Sequence, residues 1–198
     1  MGVTIEDIKK LKELTGVGLT DAKGALVEAD GDFDKALEAM RKKGLTKAEK
    51  KGDRETREGL IESYVHSDRI GVVVEVNCET DFVARLPEFK EFAHQIAMQI
   101  AAMAPKYSTV EDIPAEEYEA KKAELLASDA LNGKPAEMAE KIVEGQLKKH
   151  FAEQVLSEQT FVLDDSMTVE DRIKEQIAKS GENIRISQFK RIELGVSE

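Results

Sequence analysis

The sequence lacks residues on which several classes of protein depend. Among its 198 residues there are one cysteine and no tryptophan, and aromatic residues make up only 5%. The single cysteine, Cys78, cannot form an intrachain disulfide and indicates a reducing compartment, so we expect a cytoplasmic protein with aliphatic cores. No apolar run approaches the roughly 18 residues of a membrane span. The N-terminal sequence MGVTIEDIKK also lacks the apolar segment of a signal peptide.

An excess of positive charge is absent too. The formal net charge is −11, which argues against a nucleic-acid partner, because neutralising phosphates requires an excess of lysine and arginine. Residues 41–57 (RKKGLTKAEKKGDRETR) are a local exception, with eight basic and three acidic residues. Contact with RNA or with an acidic surface is one interpretation. A solvated linker is the simpler one, since no aromatic residue is present to stack on bases. We therefore predict a basic linker over 45–58.

Motifs for catalysis, cofactors and metals are also missing. The three histidines, His66, His94 and His150, lie far apart and do not have the spacing of metal ligands. There is no nucleophile elbow and no phosphate-binding P-loop. The sequence Gly16-Val17-Gly18 joins two predicted helices without a preceding strand, so we reject it as a dinucleotide site. The sequence favours a binding protein that is not an enzyme and has no cofactor or metal.

Residues 1–44 have the pattern of three short helices. Thr4, with Asp7 three positions later, forms a capping pair for the first helix, and Asp32 is placed to cap the third. Gly44 is the predicted end of the third helix. Three short helices make only a small core, so we predict an N-terminal three-helix module that is docked on, or tethered to, a larger body.

Residues 59–198 are predicted to form an α+β core. Leu60–His66 and Ile70–Val76 are rich in strand-forming residues and are joined by a short hairpin connection. A third strand is expected around 184–192, and a helix beginning at Pro87 carries apolar residues at helical spacing. The pattern predicts a small antiparallel sheet covered by helices.

Two further helical segments, 114–131 and 135–156, are separated by the sequence Asn132-Gly133-Lys134-Pro135. Glycine suits the end of one helix, and proline suits the first turn of the next. The apolar seam along both segments is thin. We therefore predict an antiparallel helical hairpin over about 114–156 that projects from the core.

The break between the second strand and the Pro87 helix places Asp81 beside Phe82, where a polar turn would suffice. One interpretation is structural: Thr80 or Asp81 caps a short helical turn, and Phe82 and Val83 pack beneath it. The other is that the pair protrudes, with Phe82 as an anchor for a partner's pocket and Asp81 as a charge directed at the partner. The local pattern alone leaves both interpretations open.

Three stretches in one order resemble the elongation factor Ts family of bacteria. They are 15-TGVGLTDAKGAL-26, 73-VVEVNCETDFVAR-85 and 133-GKPAEMAEKIVEGQLKK-149, followed by 181-GENI-184. The resemblance implies an N-terminal module similar to ubiquitin-associated domains, and an α+β core with a projecting hairpin. It also implies that the chain is a guanine-nucleotide exchange factor whose partner is the GTPase elongation factor Tu, in its GDP-bound and nucleotide-free forms.

The same resemblance assigns site residues. Thr80, Asp81, Phe82 and Val83 are expected to push into the partner's GTPase domain near its Mg²⁺ and nucleotide, so that GDP leaves. Weaker family contacts match six other positions: Lys23, His66, Val162, Leu163, Ser180 and Gly181. The motif around Lys23 departs from the usual family pattern, with Leu19-Thr20 in place of a methionine pair and Gly24 in place of a lysine.

The chain has one VVEVNCETDFV segment, whereas longer family members carry a duplicated core. It therefore resembles the short form, and we expect a homodimer that uses the edges or faces of its sheet. Two other functions stay open as alternatives. One is an adaptor that binds a partner without changing nucleotide turnover, and the other is an RNA-associated ribosomal accessory protein acting through residues 41–57.

Overall fold

The computed structural model describes residues 3–15, 17–49, 51–128 and 136–196. Within these ranges the helices and strands follow in this order: α1 (Ile5–Thr15), α2 (Leu19–Glu28), α3 (Phe33–Glu49), β1 (Glu58–His66), β2 (Ile70–Cys78), α4 (Asp81–Ala84), α5 (Pro87–Met103), α6 (Ala115–Leu126), α7 (Ala136–Ala152), β3 (Thr160–Phe161), β4 (Asp164–Thr168), α8 (Val169–Ser180) and β5 (Arg185–Glu193). This order of helices and strands confirms the predicted α+β class.

The N-terminal module contains the three predicted helices around a small core of its own. Its buried residues are Leu11, Ala22, Ala25, Leu26, Ala36 and Met40. The helix end predicted at Gly44 is wrong, because α3 continues to Glu49. A single glycine costs a helix only about 1 kcal/mol, which other contacts of a helix can offset, and α3 contacts α8 of the core. The division of the chain at 44 and 58 stays a prediction.

The main core is built on a three-stranded antiparallel sheet with the order β1-β2-β5. The two strands of the predicted hairpin pair from Glu58↔Cys78 to His66↔Ile70. Alternate residues of β2 point to opposite faces, and its apolar set packs on the Phe89 and Phe92 rings of α5. The third predicted strand is β5, which pairs with the other edge of β2. The small β3–β4 sheet was not predicted from the sequence.

Helices α6 and α7 form the predicted antiparallel pair. Tyr118, near the start of α6, stacks on Phe151, near the end of α7, with ring centroids 5.7 Å apart. No residue of α6 is fully buried, whereas Val143 and Leu147 of α7 are, in agreement with a thin seam. The turn predicted at Asn132–Pro135 lies outside the described residues. None of the helices described has the length and apolar character needed to cross a membrane.

A candidate partner-binding tip

The residues Thr80–Val83, called the tip below, form a corner between the end of β2 and the start of α5. Its single helical turn, α4, fixes the direction of the side chains. Val83 and Ala84 turn inward and are buried in the main core. Phe82 turns outward and is 82% exposed. The packing interpretation therefore holds for Val83 and is wrong for Phe82.

The backbone at the start of the tip is held by a carboxylate from another part of the chain. Glu182 Oε2 accepts hydrogen bonds from the backbone N–H of Glu79 (3.1 Å) and of Thr80 (3.0 Å). Glu182 Oε1 accepts a third from the Thr80 hydroxyl (2.6 Å). Hydrogen bonds to an ionised acceptor are roughly twice as strong as neutral ones. The tip is therefore fastened to the loop that follows α8.

The carboxylate of Glu79, directly before the tip, in turn accepts a hydrogen bond from the loop that follows α8. The backbone N–H of Asn183 donates to Glu79 Oε1 at 2.6 Å. The side-chain amide of Asn183 donates to the carbonyl oxygens of Gly52 (3.2 Å) and Arg54 (2.8 Å). Part of the predicted basic linker is therefore hydrogen-bonded to the same loop, and a fully solvated linker over 45–58 does not describe residues 52 and 54.

Asp81 is the charged side chain of the tip. Its carboxylate forms an ion pair with Arg85, four residues later, at 2.9 Å, and its side chain is 49% exposed. An exposed helical pair of this spacing is worth only about 0.3–0.5 kcal/mol. Asp81 can therefore exchange Arg85 for a different cation at small cost.

Cys78 lies beneath the tip and is fully buried. Its thiol donates to the carbonyl oxygen of Thr80 at 3.2 Å. Burial raises the pKa of Cys78 to about 11, and the negative charge of Glu182 adds to the rise. A thiol with so high a pKa is almost entirely protonated at neutral pH and is a poor nucleophile. Cys78 is a packing residue of the main core.

Two of the weaker predicted contacts lie next to the tip. Ser180 ends α8, and Gly181 follows it in the left-handed conformation (φ 77°) that lets the loop turn back. Both directly precede Glu182, which holds Thr80. Lys51 Nζ donates to the Gly181 carbonyl oxygen at 2.5 Å. The structure therefore brings Ser180 and Gly181 to the same surface as the tip.

His66, Val162 and Leu163 lie elsewhere. His66 is opposite Ile70, at the far end of a nine-residue strand from Cys78, or roughly 27 Å away at the usual rise per residue. Val162 and Leu163 form the exposed β3–β4 turn, and the Val162 N–H donates to Gln99 Oε1, late in α5, at 2.8 Å. Both groups are well separated from the tip.

Lys23 lies on the exposed side of α2 in the N-terminal module. Its neighbours Ala22, Ala25 and Leu26 are buried in that module's core, so the Lys23 side chain projects away from it. The structure does not bring Lys23 into contact with the tip. No group of three or more histidine, cysteine, aspartate or glutamate side chains suited to a metal ion occurs in the part of the chain that is described.

Sequence reasoning did not assign a role to Glu79 or Glu182. Glu182 belongs to the 181-GENI-184 stretch, which carried the resemblance without any stated role. Its contact with Thr80 joins residues 102 positions apart, and no local pattern predicts such a contact. The available signal was the presence of an unexplained acidic residue directly after a helix-ending glycine.

Comparisons with known proteins agree on one family. A family model described as elongation factor TS matches residues 45–196. A curated elongation factor Ts of Fervidobacterium nodosum is 50% identical over 98% of this chain and 100% of its own length. Similar proteins of the same name include those of Thermotoga maritima, 53% identical over 98% of both chains, and of Carboxydothermus hydrogenoformans, 53% identical over 98% of this chain and 89% of its own.

Proposed function

Because this chain belongs to the elongation factor Ts family, we propose that it is the guanine-nucleotide exchange factor of elongation factor Tu and works in the cytoplasm. The observation that carries the proposal is the tip. A phenylalanine that is 82% exposed is presented on a helical turn. The two residues after it are buried, and Thr80, directly before the turn, is held by the Glu182 carboxylate. Such a ring is suited to be an anchor in a partner's pocket.

The chemistry of the proposed step takes place on the partner. Mg²⁺ bridges phosphate oxygens of a bound nucleotide and neutralises their charge. Insertion of Phe82 near that site would displace groups that hold the metal, while Asp81 would add a negative charge beside it. Both effects weaken the attachment of the diphosphate, so GDP leaves. The exchange factor itself forms and breaks no covalent bond.

Asp81 is available for this role because its present partner is weakly held. Its ion pair with Arg85 is exposed, and screening by solvent and salt limits its worth. Transfer of the Asp81 carboxylate to a position near the partner's metal site would cost little in the free protein. Arg85 would then be left as a solvated cation at the edge of the interface.

The remaining contacts are proposed as separate parts of one extended surface. Ser180 and Gly181 would contact the partner together with the tip, because they adjoin it. Lys23 would act through the N-terminal module, and the exposed Val162 and Leu163 would act at the far end of α5. His66, exposed at the end of the β1–β2 hairpin, would contact a more distant part of the partner. An interface with several separated contacts lets the N-terminal module contribute affinity while the tip acts on the nucleotide site.

The test measures nucleotide release directly. Elongation factor Tu is loaded with fluorescent GDP, mixed with excess unlabelled GDP, and followed with increasing amounts of this protein. We expect the release rate to rise and then saturate. Binding without any acceleration would reject the exchange function in favour of an adaptor. Binding to RNA that weakens steeply with salt and is lost when the positive charges of 41–57 are removed would instead support the ribosomal accessory function.

We also propose that two copies of the chain associate through the open face of the three-stranded sheet. Four apolar side chains on that face are exposed: Ile61, Val65, Val73 and Ile192. They are neighbours across the strands, because Val65 and Ile192 both pair with Gly71 and Val73 lies two residues further along β2. A cluster of exposed apolar residues on a sheet is typical of a surface that another protein covers.

Light scattering tests the dimer. We expect about twice the chain mass of 22.0 kDa for the native protein, and a mass near that of one chain for Val65→Lys. Met138→Lys is the matched control, because Met138 is also exposed but lies on α7. A native mass of one chain, or an unchanged mass for Val65→Lys, would contradict the proposed interface.

A further inference from the structure

The four-residue helix α4 is too short to be stable alone. An isolated helix needs on the order of 12 residues or more before its hydrogen bonds offset the cost of nucleation. The conformation of the tip therefore depends on what holds its two sides. Val83 and Ala84 hold the inner side by burial. The start of the helix, at Thr80, is exposed and needs a different attachment.

That attachment is made in an unusual way. A threonine directly before a helix commonly accepts a hydrogen bond from a backbone N–H of the first turn. Thr80 makes no such bond. Its hydroxyl donates instead to Glu182 Oε1, and its backbone N–H donates to Glu182 Oε2. The orientation of the first turn is therefore set by Glu182 and not by a local cap.

The backbone of Glu182 is itself held in place by hydrogen bonds of its own loop. Its backbone N–H donates to the Ser180 hydroxyl at 3.2 Å, and it follows Gly181, which lies directly after α8 in the left-handed conformation. The next residue, Asn183, is 2% exposed and is hydrogen-bonded to Glu79, Gly52 and Arg54. The carboxylate thus extends from a well-held loop, and the tip is the less constrained of the two partners.

We propose that Glu182 is a positioning residue for nucleotide exchange: its carboxylate keeps Thr80 in the conformation that presents Asp81 and Phe82 to the partner. This inference rests on the proposed exchange function of the tip. Without the carboxylate, the presented conformation becomes one of several. The maximal exchange rate falls with its population, whereas contacts made by the N-terminal module and the rest of the surface remain.

The first experiment compares Glu182→Ala with the native protein in fluorescent GDP release from elongation factor Tu. We expect the maximal rate to fall about tenfold, which corresponds to losing about 1.4 kcal/mol of preference for the presented conformation. The concentration for half-maximal acceleration should change less than twofold. Glu119→Ala is the matched control, because Glu119 is an exposed glutamate on α6, away from the tip, and it should behave as native.

Two conservative variants separate positioning from general loss of structure. Glu182→Gln keeps the side-chain length and one acceptor oxygen, so it should recover part of the rate. Glu182→Asp keeps the charge but is one methylene shorter, so it should resemble the alanine variant. The midpoint of urea unfolding is measured for all of them. If the exchange rates of these variants fall only in proportion to their urea midpoints, the inference is overturned.

The second experiment requires no partner. Amide hydrogen exchange of the free protein should show protection at Glu79 and Thr80 that is lost in Glu182→Ala, while Phe92 in the core stays protected. Unchanged protection at Thr80 would overturn the inference. If native protein accelerates GDP release and Glu182→Ala does so equally, the positioning role fails alone. If native protein does not accelerate release at all, the proposed function fails and the positioning role fails with it.

Discussion

Replacing Phe82 by alanine should remove most of the exchange activity while leaving the fold nearly unchanged. A phenylalanine side chain has about 200 Å² of surface, and with Phe82 82% exposed only about a fifth of it is buried in the free protein. At about 25 cal/mol per Å², truncation costs at most about 1 kcal/mol of folding free energy. Phe82→Ala should therefore unfold at almost the native urea concentration.

The loss of interaction free energy with the partner should be much larger. If the exposed part of the ring, roughly 160 Å², enters a pocket of elongation factor Tu, the same coefficient gives about 4 kcal/mol. Aromatic anchors in interfaces commonly cost 2–4 kcal/mol when truncated. We therefore expect the second-order rate constant for GDP release to fall by about 30-fold to 1000-fold, since each 1.4 kcal/mol is a factor of ten.

The assay combines stopped-flow release of fluorescent GDP with urea unfolding of the same preparations. Phe89→Ala is the opposite control, because Phe89 is fully buried in the main core, and its truncation should cost about 3–5 kcal/mol of stability. A Phe82→Ala protein that exchanges nucleotide like the native one would refute the reasoning. So would a stability loss as large as that of Phe89→Ala.

Three further results are expected. Gly59→Ala should lower the free energy of unfolding by at least about 2 kcal/mol, because its Cβ would lie 2.2 Å from the Val76 carbonyl oxygen at φ 150°; urea titration measures this. Ala104→Gly should raise the free energy of unfolding by about 1 kcal/mol, since Ala104, directly after α5, has the left-handed φ of 46°. The pKa of the Cys78 thiol is 9.0 in the unfolded chain and rises to about 11 in the folded protein. The stability that this difference contributes should therefore be lost as the pH rises from 9 to 11. In Cys78→Ala, the free energy of unfolding should fall less steeply over the same pH range.

Features set by neighbouring residues could be predicted from the sequence. The start of α1 is an example: the Thr4 hydroxyl donates to Asp7 Oδ2 at 2.6 Å and accepts from the Asp7 N–H at 3.1 Å, as predicted for a capping pair. The β1–β2 hairpin is another, since its strands and its connection are adjacent in the chain. These elements depend on contacts within a few positions, which composition and spacing record.

Features set by contacts between distant parts of the chain could not be predicted from the sequence. The continuation of α3 beyond Gly44 is one such feature, and α3 contacts α8, which lies more than a hundred residues later. Phe82 turns outward on a helical turn, and Thr80, directly before that turn, is hydrogen-bonded to Glu182, 102 positions later in the chain. The family resemblance selected Asp81 and Phe82 as residues of interest, but the physical basis of their orientation required the structure.

The most direct test of the exchange function is an equilibrium measurement. A protein weakens the affinity of elongation factor Tu for GDP only if it binds the nucleotide-free form more tightly than the GDP-bound form. By linkage, GDP then weakens the binding of that protein to elongation factor Tu by the same factor. The dissociation constants for both forms are measured with one labelled preparation. We predict much tighter binding to the nucleotide-free form and a smaller ratio for Phe82→Ala. Equal affinity for the two forms would contradict the account.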